Sequence, residues 1–228
     1  MNPVELLRRL PGWAEFAIVV GLAFGYFIFI SVFTAVHPDL LMRTHHTTAT
    51  LAALTIVELV LMAVLCPFLW ARGWSLRRVG LVPAWIDTAL GVGLGLVVYT
   101  VYVLLWIAFA SAMPDLARSA ASVTVVAKGI SPAIALINPW VNALFEELFV
   151  AGYIITVLKN KRGAWTAVNV SVAIRLSYHL YQGVLGVIAI IPLGLIFGIW
   201  YARTGKLWPL IVAHAAIDMV GLLSMAKF

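Results

Sequence analysis

Long apolar runs are the feature that most limits what this chain can fold into. Seven runs each reach, or nearly reach, the roughly 17–25 residues that a membrane helix needs. They lie at 14–36, 49–71, 86–111, 132–158, 163–181, 183–202 and 207–225. Only 11% of the 228 residues are charged, whereas a soluble domain usually has about 25%. The sequence therefore predicts an all-α, polytopic transmembrane helix bundle of about seven spans, with residues 1–228 as a single domain.

The lysines and arginines are distributed unevenly between the segments that separate these runs. Ten lie in alternate segments that start with the N-terminus, namely Arg8, Arg9, Arg72, Arg77, Arg78, Lys159, Lys161, Arg162, Arg203 and Lys206. The other segments carry four, namely Arg43, Arg118, Lys128 and Lys227. Cytoplasmic loops are the ones rich in Lys and Arg, so we predict a cytoplasmic N-terminus. The net charge of +6 then indicates contact with anionic membrane lipid, and we expect no nucleic-acid partner.

Ionisable side chains inside the predicted spans are concentrated in the C-terminal half. Three runs carry one pair each, namely Glu146 and Glu147, Arg175 and His179, and His214 and Asp218. A charge at the centre of a bilayer costs at least about 2.5–3.5 kcal/mol, so such residues normally face a cavity or a partner. Six of them on three helices favour a functional site over separate structural hydrogen bonds. Glu58 is alone on its run, and we interpret it as structural, either protonated or bonded to a neighbouring helix.

The spacing within each pair indicates which side chains can share a face. Arg175 and His179 are four residues apart, as are His214 and Asp218, so each pair lies on one helix face. Adjacent residues diverge by about 100° around a helix. One glutamate of the pair at 146–147 can therefore point into a central cavity, and the other must reach a neighbouring helix.

Three residues of the sixth run predict a bend in the chain after the candidate histidine of the fifth. Gly183, Gly186 and Pro192 follow His179 closely, and glycine and proline are the usual causes of kinks. A bend there would bring His179 to the depth of the other ionisable groups.

A buried carboxylate beside imidazoles is suited to hydrolysis. The carboxylate can take a proton from a water molecule that attacks a carbonyl carbon, and His179 can help to hold that water. His214 can stabilise the oxyanion, with Asp218 orienting its ring. In an alternative, Glu146, His179 and His214 bind a zinc ion that keeps one position open. Neither version needs an organic cofactor, and the sequence leaves both open.

Three motifs, in this order, resemble those of the CPBP intramembrane proteases, also called the CAAX-prenyl-protease and bacteriocin-processing or Abi family. That family carries EExxxR, FxxxH and HxxxN or HxxxD on membrane helices. The matching segments here are EELFVA (146–151), RLSYH (175–179) and HAAID (214–218). The resemblance covers roughly 130–225, where we expect the catalytic helices. It implies an intramembrane endopeptidase, multi-pass in a prokaryotic cell membrane, that cleaves a peptide or a lipidated-protein substrate.

The resemblance also implies a role for each matching residue. Glu146 would activate water together with His179. His214 and Asp218 would form the oxyanion side of the site, and Glu147 would support it.

Two positions depart from the family motifs. Ala151 stands where EExxxR has arginine, and Arg175 stands where FxxxH has phenylalanine. A buried carboxylate needs a counter-charge or a proton. Our hypothesis is that Arg175 replaces the missing cation and pairs with Glu147 across two helices.

Two other functions are compatible with the same residues. The departures at 151 and 175 also fit a catalytically degenerate member that binds a peptide or acts as an immunity protein. A transporter or channel that uses the acids as an ion path is disfavoured, because the sequence lacks the inverted repeat common in transporters.

Overall fold

The computed structural model describes residues 3–37, 45–122 and 126–227, and within these ranges the chain is mainly helical. The helices are α1 (Pro3–Arg8), α2 (Gly12–Val36), α3 (Thr48–Ala71), α4 (Trp85–Ala112), α5 (Pro114–Ser122), α6 (Pro132–Glu146), a π-helix (Glu147–Ile155), α7 (Thr156–Arg162), α8 (Ala164–Ser177), a 3-10 helix (Leu180–Gln182), α9 (Gly183–Thr204) and α10 (Trp208–Met225). Three strands of two or three residues, β1 (His45–His46), β2 (Val126–Lys128) and β3 (Ala226–Lys227), complete the fold.

The helices follow the predicted apolar runs to within about four residues. Five helical segments of the described chain are long and apolar enough to cross a membrane: Gly12–Val36, Thr48–Ala71, Trp85–Ala112, Pro132–Arg162 and Leu180–Thr204. Of the two remaining predicted spans, α10 is apolar but shorter, and α8 has 14 residues. The helical, multi-pass membrane architecture is therefore confirmed, while seven spans and a cytoplasmic N-terminus stay predictions.

Segments that the charge distribution assigns to the same side of the membrane lie together. The three strands come from predicted outer segments, and they pair in parallel in the order β1, β2, β3. We call this the strand end. At the opposite, basic end, Lys206 Nζ donates to Asp87 Oδ1 over 2.7 Å. The amide of Leu207 donates there to the carbonyl of Gly80. Gly80 has a φ of +69°, and a Cβ atom on it would lie 1.6 Å from the carbonyl oxygen of Gly205.

The segment Pro132–Arg162, made of α6, the π-helix and α7, forms the centre of the bundle. In its apolar 18-residue stretch 67% of the residues are buried, whereas the corresponding stretches of the other four spans are 17–33% buried. Helix α6 begins with a Ser131 side chain that accepts from the amide of Ile134, which is a favourable N-terminal cap. Helices α3 and α10 pack against α6, and α8 and α9 pack against the π-helix.

The chain bends where the sequence predicted it. Helix α8 ends at Ser177, a 3-10 turn follows, and α9 begins at Gly183 with a φ of +61°. This left-handed conformation is accessible to glycine at little cost. Pro192 lies inside α9 and does not end it. The break turns the chain beside His179, so that this residue faces the same space as the central helix.

Candidate active site

A cavity of about 370 Å³ lies between the central helix and its neighbours. Five of the six predicted site residues line it, namely Glu146, Arg175, His179, His214 and Asp218. The sixth, Glu147, is fully buried directly behind the wall, where it contacts two of the others. Residues from α6, α8, α10 and the turn after α8 therefore meet at one place, as expected from the motifs.

The π-helix begins at the second glutamate of the EE pair. Its hydrogen bonds each span one residue more than those of an α-helix, and such segments occur frequently at functional sites. Glu146 ends α6 and faces the cavity, whereas Glu147 points away from it, toward α8 and α10. The predicted division, with one acid at the cavity and one reaching a neighbouring helix, is present.

Arg175 bridges the two acids from α8. Its Nη2 atom donates to Glu147 Oε1 over 2.8 Å, and its Nη1 atom donates to Glu146 Oε2 over 3.1 Å. The Arg175 side chain is fully buried. Ala151, at the position where the family motif has arginine, is also buried and supplies no cation. The predicted pairing of Arg175 with Glu147 is therefore observed. The second bond, to Glu146, was not predicted.

Tyr178 is a site residue that the sequence analysis missed. Its hydroxyl donates to Glu146 Oε2 over 2.7 Å, so this oxygen accepts two hydrogen bonds. Because α8 ends one residue earlier, the turn directs Tyr178 back toward the central helix. The sequence signal that could have identified Tyr178 was a hydroxyl group directly before the candidate His179 in an apolar span. The arrangement leaves Glu146 Oε1 as the oxygen that can contact a guest in the cavity.

His179 is held by its own backbone turn. Its Nδ1 atom lies 2.9 Å from the carbonyl oxygen of Arg175. A carbonyl only accepts, so Nδ1 carries the proton and donates. The other ring nitrogen, Nε2, remains for a ligand in the cavity.

His214 is oriented mainly by a different acid from the one predicted. Its Nδ1 atom is 2.7 Å from Glu147 Oε1, whereas its Nε2 atom is 3.5 Å from Asp218 Oδ2. The shorter contact comes from another helix because Glu147 points away from the cavity. Asp218 Oδ2 instead accepts from Asn142 Nδ2 over 2.9 Å, a contact that the sequence did not indicate.

Of the two alternatives predicted for Glu58, a proton or a bond to a neighbouring helix, the structure tests the bond. Glu58 lines the same cavity from α3, and its side chain is 2% exposed. Its Oε2 atom has no hydrogen-bond partner among the described residues. The predicted bond to a neighbouring helix is therefore absent from this part of the chain, and Glu58 joins the polar wall of the site.

The residues proposed as zinc ligands do not converge on one point. No group of three His, Cys, Asp or Glu side chains in the described ranges is arranged to hold a metal ion. The three side chains therefore do not form a three-ligand site in this arrangement. Dependence on a metal stays a prediction to be tested with a chelator.

The comparison with protein families agrees with the motifs. Residues 128–220 match the family model described as type II CAAX prenyl endopeptidase Rce1-like. No curated protein and no solved structure matches the chain. The matched segment contains all three motifs and the six residues of the predicted site. The family model therefore confirms the expected resemblance to CAAX prenyl endopeptidases over residues 128–220.

Proposed function

We propose that this protein is an intramembrane endopeptidase that hydrolyses a peptide bond of a membrane-associated substrate. The observation that carries the proposal is the geometry of Glu146. This carboxylate lines a buried cavity, two donors fix its Oε2 atom, and its Oε1 atom is left toward the cavity together with the imidazoles. Ionisable groups inside a membrane bundle are costly to bury and usually mark a functional site.

The reaction begins with a water molecule between Glu146 Oε1 and His179 Nε2. Glu146 takes one proton from this water as the oxygen attacks the carbonyl carbon. When the C–N bond breaks, the same proton moves from Glu146 to the leaving nitrogen. Arg175 and Tyr178 keep the carboxylate in place throughout, since both donate to its other oxygen.

The oxyanion side is formed by the imidazole of His214. In its protonated form, the ring donates from Nδ1 to Glu147 and has Nε2–H for the developing negative oxygen. Donors that are fixed in advance act strongly where water is excluded. Asp218 stands 3.5 Å from Nε2 and can balance the charge of the ring before the substrate arrives.

The Rce1-like family implies a substrate that is a membrane-associated peptide or a prenylated protein. The protein itself should be tested with a library of such peptides, in detergent or vesicles, with and without a chelator. We expect hydrolysis by the wild type and none by Glu146→Ala. Glu5→Gln, a change at an exposed glutamate of α1, is the matched control and should stay active. Hydrolysis that survives in Glu146→Ala contradicts the assigned base, and loss with the chelator alone favours a metal.

One observation favours a second function. Arg175 donates directly to Glu146, the proposed base, and the typical family motif has phenylalanine at this position. A guanidinium that occupies the base would suit a degenerate member that binds a peptide or acts as an immunity protein. Such a protein would bind the peptides without cleaving them, and Glu146→Ala would leave its biological effect intact.

A further inference from the structure

Among the described lining residues, Glu58 is the one carboxylate for which the hydrolysis mechanism above has no use. It lies on α3, a helix without any of the three motifs, on the same face as Leu51 and Leu54. Asn138, which lines the same cavity, donates to Thr55, and Thr55 donates to a backbone carbonyl. Nothing in the described chain donates a hydrogen bond to the buried Oε2 atom of Glu58.

The carboxyl groups at this cavity outnumber the fixed cations. Glu58, Glu146 and Asp218 line it, and Glu147 lies directly behind. Arg175 is the sole Lys or Arg among the described lining residues, and both of its bonded partners are the motif glutamates. No fixed cation therefore remains for Glu58.

The histidines at the cavity do not pair with Glu58 either. His214 lies between two other carboxylates, and His179 donates to a backbone carbonyl. His46 lies at the strand end, outside the spans, and burial lowers its pKa, so its ring is neutral at neutral pH. A buried carboxylate is stabilised by a counter-charge or a proton. Glu58 has no fixed counter-charge, so either a proton or a cation carried by a guest must stabilise it.

We propose that Glu58 is a specificity residue that binds a cationic side chain, lysine or arginine, within two residues of the scissile bond. This inference rests on the proposed peptidase function and adds the substrate class to it. Two features of the structure support it: the Glu58 oxygen without a hydrogen-bond partner, and the excess of carboxylates over fixed cations in the cavity wall. The cation would enter the same cavity as the scissile peptide, while Arg175 stays paired with Glu146 and Glu147.

The test compares peptides that differ at one position, with lysine in one and norleucine in the other. Norleucine keeps an apolar stem of similar length without the ammonium group. The substitution is scanned over two positions on either side of the bond that the wild type cleaves. We expect kcat/KM to be about 30-fold higher for lysine at one position, the scale of loss when one partner of a buried charge pair is removed.

Glu58→Gln removes the charge while it keeps the shape of the side chain. In this variant the ratio of lysine to norleucine should fall to about one, while Glu5→Gln keeps the wild-type ratio. A wild type without any preference, or a ratio that persists in Glu58→Gln, overturns the inference. If Glu58→Gln does not fold, butylammonium is added to the wild type while it cleaves the norleucine peptide. A cation site at Glu58 predicts that butylammonium inhibits cleavage, and no inhibition overturns the inference.

The same peptide pair separates this inference from the peptidase function. Binding of both peptides to Glu146→Ala is measured by titration calorimetry. If no peptide is cleaved but the lysine peptide binds more tightly, the peptidase function fails and the role of Glu58 stands. If the lysine and norleucine peptides are cleaved equally well at every position, the peptidase function stands and the role of Glu58 fails.

Discussion

Two arginines of the described chain pair with glutamates, the partly buried Arg72 at the basic end and the fully buried Arg175 at the cavity, and they have different surroundings. Arg72 at the basic end uses all of its donor nitrogens. Its Nε atom donates to Glu15 over 2.6 Å, and its two Nη atoms donate to the carbonyls of Leu7 and Leu10. The cluster ties α1 and α2 to the end of α3.

Both carboxylate oxygens of Glu15 in this first cluster also accept hydrogen bonds. The second oxygen of Glu15 accepts from the indole of Trp74 over 3.0 Å and from the hydroxyl of Tyr153 over 3.1 Å. No polar atom of these residues is among the buried atoms without a partner in the described chain. A fully satisfied buried network stabilises and orders a fold.

The second cluster, around Arg175, is incompletely satisfied. The Nε atom of Arg175 and the Oε2 atom of Glu147 are buried without partners in the part of the chain that the structure describes. Arg175 and Glu146 of this cluster line the polar cavity described above. In the first cluster Trp74 and Tyr153 line a pocket, and the other residues of that pocket are mainly apolar. Buried polar atoms without partners are uncommon and need an explanation. The same pair of residue types therefore stabilises the fold at one end, and at the other it is incompletely satisfied and lies at the cavity that the proposed function assigns to a guest.

The largest effect is expected when the cation of the cavity cluster is removed. Arg175→Phe leaves two buried carboxylates without their counter-charge, and breaking a buried pair costs about 3–5 kcal/mol. We expect a lower melting temperature in detergent and a loss of hydrolysis. Melting and activity equal to the wild type would contradict the pairing.

A second variant asks whether position matters as well as charge. Arg175→Phe combined with Ala151→Arg returns the cation to the family position, one turn from Glu147. We expect the double variant to recover folding and hydrolysis relative to Arg175→Phe. No recovery would mean that the cation must come from α8.

The next effect is at the basic end. Arg72→Met removes hydrogen bonds to one carboxylate and two carbonyls, and bonds to charged groups contribute about 1.5–3 kcal/mol. The melting temperature should fall, while kcat/KM of the folded fraction stays at the wild-type value. A specific loss of kcat would show that the two clusters are coupled through the central helix.

Tyr178→Phe should have a smaller effect, confined to the cavity. Glu146 keeps Arg175 but loses its second donor, so the carboxylate is oriented less firmly. We expect kcat to fall about tenfold, near the lower end of what a hydrogen bond to a charged group contributes, with KM unchanged. A change in KM alone would mean that Tyr178 contacts substrate instead.

The smallest effect is predicted for Asp218→Asn. Asparagine keeps one acceptor oxygen and gains an amide donor, so hydrolysis should stay within about threefold of the wild type. Complete loss would indicate an obligatory carboxylate or a metal ligand at this position.

The sequence predicted the parts of this molecule that depend on local pattern. Apolar runs located the helices, because a span must satisfy its backbone hydrogen bonds within itself. The motifs located six residues that meet at one cavity. The pairing of Arg175 with Glu147 was predictable because a buried acid needs a counter-charge.

The parts that were missed depend on contacts between distant segments. Tyr178 and Asn142 act through partners 32 and 76 residues away. Glu58 was missed because its apolar run contains no second charged residue or histidine that would have indicated a site. The three strands are too short to show an alternating pattern, and the π-helix leaves no signature in residue type.

The π-helix has a consequence for how this site could arise and be lost. Its wider turns hold about one residue more than the α-helix would over the same length. If the same nine residues wound as an ordinary α-helix, the extra residue would rotate one half of the central helix against the other by about 100°. The acids and Tyr153 would then no longer face their partners together. A change of winding alone, with every residue type kept, would thus separate a site-bearing helix from an inert membrane anchor.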